Sequence, residues 1–282
     1  MAKLAVVPTD SASDVPTRTP GASRRPILLS VRGRHETGKT TLLSLLIDTA
    51  RDGYPIRIID ADTNNSTLAT WFPHAIIPAG VNDERRINVE AEFNWAMDHA
   101  GSPDQADLVA DLGGDDAILP RLGAELGYAD ALAEAGVDPV LIYVVGPDAR
   151  HLKPIDDMEG GRLFCPPRTI VALNAGLVPM DRSASVAYAD VLGSSTLKKL
   201  KDRGARVVIL PALDPDCMRK LKAAVLDWHE TKVPDRRVPG FKWALTPDGR
   251  RALGVTDHLR VKAFVGRFVE GVRRPLQDWI PD

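Results

Sequence analysis

Residues 30–46 read SVRGRHETGKTTLLSLL, and this stretch decides the fold. Within it Gly33, Gly38, Lys39 and Thr40 satisfy G-x-x-x-x-G-K-[ST] at every fixed position. A pattern of eight residues can arise by chance, so its surroundings matter. The apolar run PILLSV (26–31) precedes it and leucines at helical spacing follow it, giving strand, loop and helix in the order the motif requires. In that setting the spacing has a physical reason. Successive backbone N–H groups wrap a phosphate, the Lys39 ammonium reaches its oxygens, the Thr40 hydroxyl ligates Mg²⁺, and the helix beginning near Lys39 adds its positive end. A polar strand-to-helix turn is the bland alternative. A dinucleotide fingerprint fails on spacing, because Gly33 and Gly38 do not make G-x-G-x-x-G.

Outward from the loop, apolar runs alternate with helical patterns. IRIIDAD, ADLVADLGG, PVLIYVV, RTIVALNAG and ARVVILPAL read as five further strands. Helical stretches separate them, among them VEAEFNWAMDHAG, AILPRLGAELGYADALAEAG and SASVAYADVLGSSTLKKLKDRG. Continuous Val/Ile/Leu runs joined through helices predict an α/β fold, a doubly wound, mostly parallel sheet with helices on both faces, of the P-loop NTPase kind. The expected organisation is a flexible leader over 1–25, rich in Pro, Ser, Thr and Ala, a nucleotide-binding domain over 26–230, and a C-terminal extension over 231–282. TKVPDRRVPGFKWALTPDGRRALG (231–254) reads as an extended connection or small hairpin, before a closing amphipathic helix.

The bulk properties set bounds. With 282 residues, 44% of them hydrophobic, the chain can bury a sizeable core. A formal net charge of -2 argues against a generally basic nucleic-acid coat. Cys165 and Cys217 lie far apart without C-x-x-C spacing, so neither a disulfide framework nor a zinc site is expected, and a reducing cytoplasm fits. No apolar run approaches the length of a membrane span.

Ligands of an open parallel sheet collect at the carboxyl ends of its strands. Two such ends are acidic here. Asp60 and Asp62 follow the second strand, and Asp111 follows the third with Gly113 and Gly114 behind it. An apolar strand ending in aspartate supplies a carboxylate for Mg²⁺, and the glycine after it can offer an N–H to a γ-phosphate. Helix capping is the alternative for all three aspartates.

Together these motifs resemble the ParA/MinD class of P-loop ATPases, which carry a deviant phosphate loop, a D-x-D switch and a Walker B aspartate in this order. The resemblance spans roughly 26–230. It also extends, on weaker grounds, to ParA-like proteins encoded beside plasmid-stability and conjugal-transfer genes, of the StbB or TraL kind. It implies ATP and Mg²⁺ as cofactors, with Gly33, Thr37, Gly38, Lys39, Thr40 and Thr41 around the nucleotide. Thr40, Asp60 and Asp111 would serve the metal, and Asp62 would position the attacking water. Gly114 would be the second-switch glycine. Asn174, after the fifth strand, would read the adenine, unless it is a turn asparagine.

The loop departs from the family where K-G-G is expected, with Arg34, His35 and Glu36 in those places. Arg34 keeps the charge, and the resemblance implies that it crosses a dimer interface to a partner's phosphate as part of the catalytic set with Lys39 and Asp62. His35 and Glu36 replace glycines and make hydrolysis less secure than binding. Basic residues cluster at Lys198, Lys199, Lys201, Arg203 and Arg206, and again at Arg219, Lys220 and Lys222. They read either as a solvated face or as a surface for nonspecific DNA contact. Val261, Phe264, Val265, Phe268 and Val272 share one face of the last helix, which suits docking on the core better than a membrane surface.

The function implied is an ATP-dependent homodimer that hydrolyses ATP to ADP and phosphate. It would act in plasmid partition, stability or conjugal transfer, with DNA and a plasmid-encoded protein as partners. An ATP-dependent metabolic enzyme of the same fold class and a nucleotide-binding adaptor with little hydrolysis are the alternatives.

Overall fold

The computed structural model describes residues 25–51, 53–62, 67–80, 83–113, 117–232 and 240–281, without the side chains of 228–232. Six strands form one all-parallel sheet: β1 (Ile27–Arg32), β2 (Ile56–Asp60), β3 (Asp107–Asp111), β4 (Asp138–Val145), β5 (Arg168–Asn174) and β6 (Arg206–Leu210). Their spatial order is β2-β3-β1-β4-β5-β6. The loop-bearing β1 is therefore central, flanked by β3 with Val31 beside Asp111 and by β4 with Arg32 beside Tyr143. The order reverses at β1, and in open α/β sheets it is outside the carboxyl ends of the strands at such a point that ligands bind.

The first helices are α1 (Lys39–Asp48), α2 (Thr67–Trp71), α3 (Asp83–Asp98), α4 (Ile118–Leu126), α5 (Tyr128–Glu134) and α6 (Lys153–Gly160). After β5 come α7 (Ala184–Ala187), α8 (Ala189–Leu192) and α9 (Ser195–Asp202), and after β6 comes α10 (Pro215–Lys232). The C-terminal run is α11 (Gly240–Ala244), α12 (Pro247–Leu253), α13 (Val255–Phe268), a π-helical turn at Val269–Arg273 and α14 (Arg274–Leu276). Where the sequence suggests one long helix over 117–136, Gly127 at φ 57° splits it into α4 and α5. The described part of 231–254 is helical rather than a hairpin, because Thr246 caps α12 by accepting from Gly249 N–H and Pro247 fits the first turn.

Two apolar layers sandwich the sheet. Leu28, Leu141, Tyr143 and Val171 face α3 to α6 and α9, packed with Phe93, Leu122 and Phe164. On the other face Leu29, Val31, Ile142 and Ile170 meet Leu42, Leu46 and Leu221. The same cluster takes in Phe241, Val261, Phe264, Phe268, Val272 and Ile280, so the C-terminal helices share the core of α1. Truncating a phenylalanine at such a site costs about 3–5 kcal/mol. β6, the outer strand on that side, is covered: the Arg206 guanidinium stacks over Trp279 at 4.1 Å and donates to the Pro275 carbonyl. Among the described residues no helix is long and apolar enough to cross a membrane, and both cysteines are free.

Candidate functional site

The loop 33–38 turns from β1 into α1 through positions that only glycine fits. A Cβ at Gly33 would lie 2.6 Å from the Val144 carbonyl oxygen and 2.7 Å from Thr37 Oγ1. Gly38 has φ 96°, and a Cβ there would lie 2.5 Å from Asn174 Nδ2. The loop is cinched from within. Thr37 Oγ1 and Lys39 Nζ both donate to the Arg34 carbonyl, at 2.9 and 3.0 Å. It is also tied from outside, since Asn174 Nδ2 donates to the Thr37 carbonyl at 2.7 Å while Asn174 Oδ1 accepts from Gly176 N–H at 2.9 Å. Glu36 takes φ 60° without being glycine, a left-handed conformation that costs about 1–2 kcal/mol. Arg34, His35 and Glu36 form the exposed rim, and Thr41 continues α1 half-buried.

The acidic strand ends converge beside α1. Thr40 Oγ1 donates to Asp111 Oδ2 at 2.7 Å, and Asp60 is level with Asp111 across the β2–β3 pairing. Asp62 is buried and lies against Gly113, where a Cβ would be 3.3 Å from the Asp62 carboxyl carbon. Asp60 also caps a helix, its Oδ2 accepting from Ala69 N–H of α2 at 2.7 Å and its Oδ1 from Asp62 N–H at 3.3 Å. Capping and proximity to the acidic cluster thus coexist in one side chain. Burial pushes the Asp60 carboxyl up to about 6, and the Asp111 and Asp62 charges add to the rise. Burial likewise raises Asp111, partly offset by the Thr40 hydroxyl and the Lys39 charge. Gly114 lies outside the described residues.

A glycine-rich turn on the central strand opens an α-helix beside an acid-tipped neighbouring strand. The fold is that of the P-loop NTPases. No family model matches the chain, and no curated protein matches its sequence. Solved structures with a similar fold include MinD in the MinC:MinD cell division complex of Aquifex aeolicus, at 17% identity and TM-score 0.43, over 82% of this chain and 97% of that one. A putative plasmid partition protein of Borrelia burgdorferi bound to AMPPNP is 10% identical with TM-score 0.42, over 74% of this chain and 100% of that one. The signal recognition particle receptor FtsY of Elizabethkingia anophelis is 15% identical with TM-score 0.41 over 66% of this chain, which spans 59% of that chain.

The donor set fits a nucleoside triphosphate with Mg²⁺. Gly38, the N-cap of α1, offers no side-chain cap, so the first-turn N–H groups are not spent on one. The glycine cradle would close if a Cβ filled it, and a hydroxyl and a carboxylate oxygen stand together at Thr40 and Asp111. Among the described residues no group of three or more His, Cys, Asp or Glu could hold a metal ion by itself.

Sequence reading missed His151, at the rim beyond β4. Its Nδ1 accepts from Gly146 N–H at 2.8 Å, which places the proton of the neutral ring on Nε2. Burial lowers its basicity, and the Arg34 charge lowers it further against the pull of Asp148. The signal available was the GPD turn ending an apolar strand, but nothing in sequence shows that this strand borders β1.

Proposed function

We propose that the chain binds ATP with Mg²⁺ in the crevice above β1 and works as a nucleotide-dependent switch that dimerises on ATP. The observation that carries this reading is the joint placement of Lys39 across the loop and of Thr40 against Asp111. Lys39 would neutralise phosphate charge, and Thr40 with Asp111 would hold the cation. Mg²⁺ held by Thr40 and Asp111 would supply neutralisation of phosphate charge. Asp62, buried at the end of the β2 segment against Gly113, suits the positioning of water, with Asp60 supporting the cluster. Gly33, Thr37, Gly38, Thr41 and Gly114 would complete the phosphate surroundings, and the free lone pair and N–H of Asn174 would face the base.

Plasmid partition, stability or conjugal transfer is the setting we favour, with DNA and a plasmid-encoded protein as partners. Lys198, Lys199 and Lys201 support DNA contact, being exposed along α9. Arg203 and Arg206 of that cluster, and Lys220 of the second one, are engaged within the fold instead, while Arg219 and Lys222 are exposed on α10. Arg203 bonds Glu159 and the Pro166 carbonyl, Arg206 covers β6, and Lys220 pairs with Asp257 at 2.7 Å. An adaptor that binds nucleotide with little turnover is the second reading, favoured by Glu36 in the loop and by the commitment of Asp60 to α2.

Light scattering with ATP and Mg²⁺ separates these readings. Arg34→Ala should keep nucleotide binding but lose the ATP-dependent dimer, and Asp62→Ala should trap that dimer by slowing hydrolysis. Wild-type protein that stays monomeric would overturn the switch.

A further inference from the structure

The five-residue helix α11 touches two elements that both begin at the nucleotide crevice. One is α1, which starts at Lys39. Its last residue, Asp48, is buried, and its Oδ2 accepts from Phe241 N–H at 2.6 Å and from Lys242 N–H at 3.3 Å. The other is α2, whose start is held by Asp60 through Ala69 N–H. The far end of α2, Trp71, packs against α11, and the fit is so close that a Cβ on Gly240 would overlap the indole. The Trp71 and Phe241 ring centroids are 5.0 Å apart, and Phe241 in turn packs on Phe264 of α13 at 5.5 Å.

We propose that α11 relays the state of the nucleotide crevice to the C-terminal helices α12 and α13; this rests on the nucleotide-binding reading above. The physical case is one of leverage. Closely packed side chains shift between discrete arrangements rather than deforming smoothly, so movement of α1 relative to α2 must be absorbed where both are gripped. α11 is gripped by the Asp48 carboxyl group from α1 and an aromatic ring from α2, and Phe241 passes the displacement to α13. The Asp48 junction is not fully bonded, since its Oδ1 has no hydrogen-bond partner among the described residues.

Hydrogen exchange on the full chain, with and without ATP and Mg²⁺, tests the relay. Nucleotide should slow exchange in 33–45 and, by about five-fold or more, in 240–253 as well. Gly240→Ala, which forces Trp71 off α11, should keep the protection of 33–45 and lose that of 240–253. Should Gly240→Ala fail to fold, Phe241→Leu removes the ring contacts without a clash and should weaken the distal response in the same way. Protection confined to 33–45 in the wild type would make α11 a passive cover and overturn the relay. Protection in neither segment would defeat the nucleotide reading and the relay with it.

Discussion

Asn174 at the end of β5 donates its side-chain amide to the Thr37 carbonyl at 2.7 Å, so the loop between β1 and α1 is fastened to a strand that begins more than a hundred residues later. The bond is buried, and the amide plugs the space beside Gly38 that any side chain there would need.

Removing this tether should loosen the loop. Asn174→Ala leaves a buried carbonyl without its donor, a penalty of about 1–3 kcal/mol, and ATP should bind roughly ten-fold more weakly or worse. Asn174→Asp removes the donor, keeps the shape and adds a charge, and should be at least as damaging. Calorimetric titration of both variants is the check. Affinity within two-fold of wild type in the alanine variant would show that the tether does not shape the site.

Glu36 holds a conformation that suits glycine, so Glu36→Gly should relieve strain. We expect stability in urea to rise by about 1 kcal/mol, less whatever the freer unfolded chain takes back. Nucleotide affinity should rise too, because a carboxylate leaves the rim of a polyanion site. Lower stability together with weaker binding would mean that Glu36 makes a contact worth more than its backbone costs.

Much of this arrangement was legible in the sequence. Gly33 and Gly38 mark the turn from β1 into α1, where a Cβ would clash, with Lys39 and Thr40 opening the helix, and Val/Ile/Leu runs mark strands buried on both faces. The strand count and the helical crossovers follow from the same pattern. What stayed hidden depends on strand order and on long-range contacts. Nothing local shows that Asn174 holds Thr37, that His151 accepts from Gly146 N–H at the end of β4, or that Asp48 reaches Phe241 near the other end of the chain. The helices α11 and α12 were illegible for a different reason: Pro, Gly and charged residues that usually mark turns serve there as caps and first-turn residues.

Asp48 makes the stability of the protein depend on pH. Burial pushes its carboxyl from the usual range near 3.8 up to about 8, against the two backbone N–H donors of α11. The folded state therefore binds more protons than the unfolded state between those values. Stability attributable to this group is present below about 4 and is lost as pH rises towards 8, at up to about 1.4 kcal/mol per pH unit. Asp48→Asn keeps an acceptor for Phe241 and Lys242 and cannot ionise, so urea midpoints from pH 5 to 8 should fall less steeply in the variant. Parallel slopes would place the buried carboxyl elsewhere on the pH scale.

The central claim is that the loop over β1 binds a nucleoside triphosphate through Lys39. A titration of wild type and Lys39→Ala with a fluorescent ATP analogue, in Mg²⁺ and again in EDTA, tests it most directly. Saturable binding by the wild type that weakens without Mg²⁺ is expected, with loss of binding in the variant while its circular dichroism spectrum stays unchanged. Equal affinity in the two proteins would contradict it.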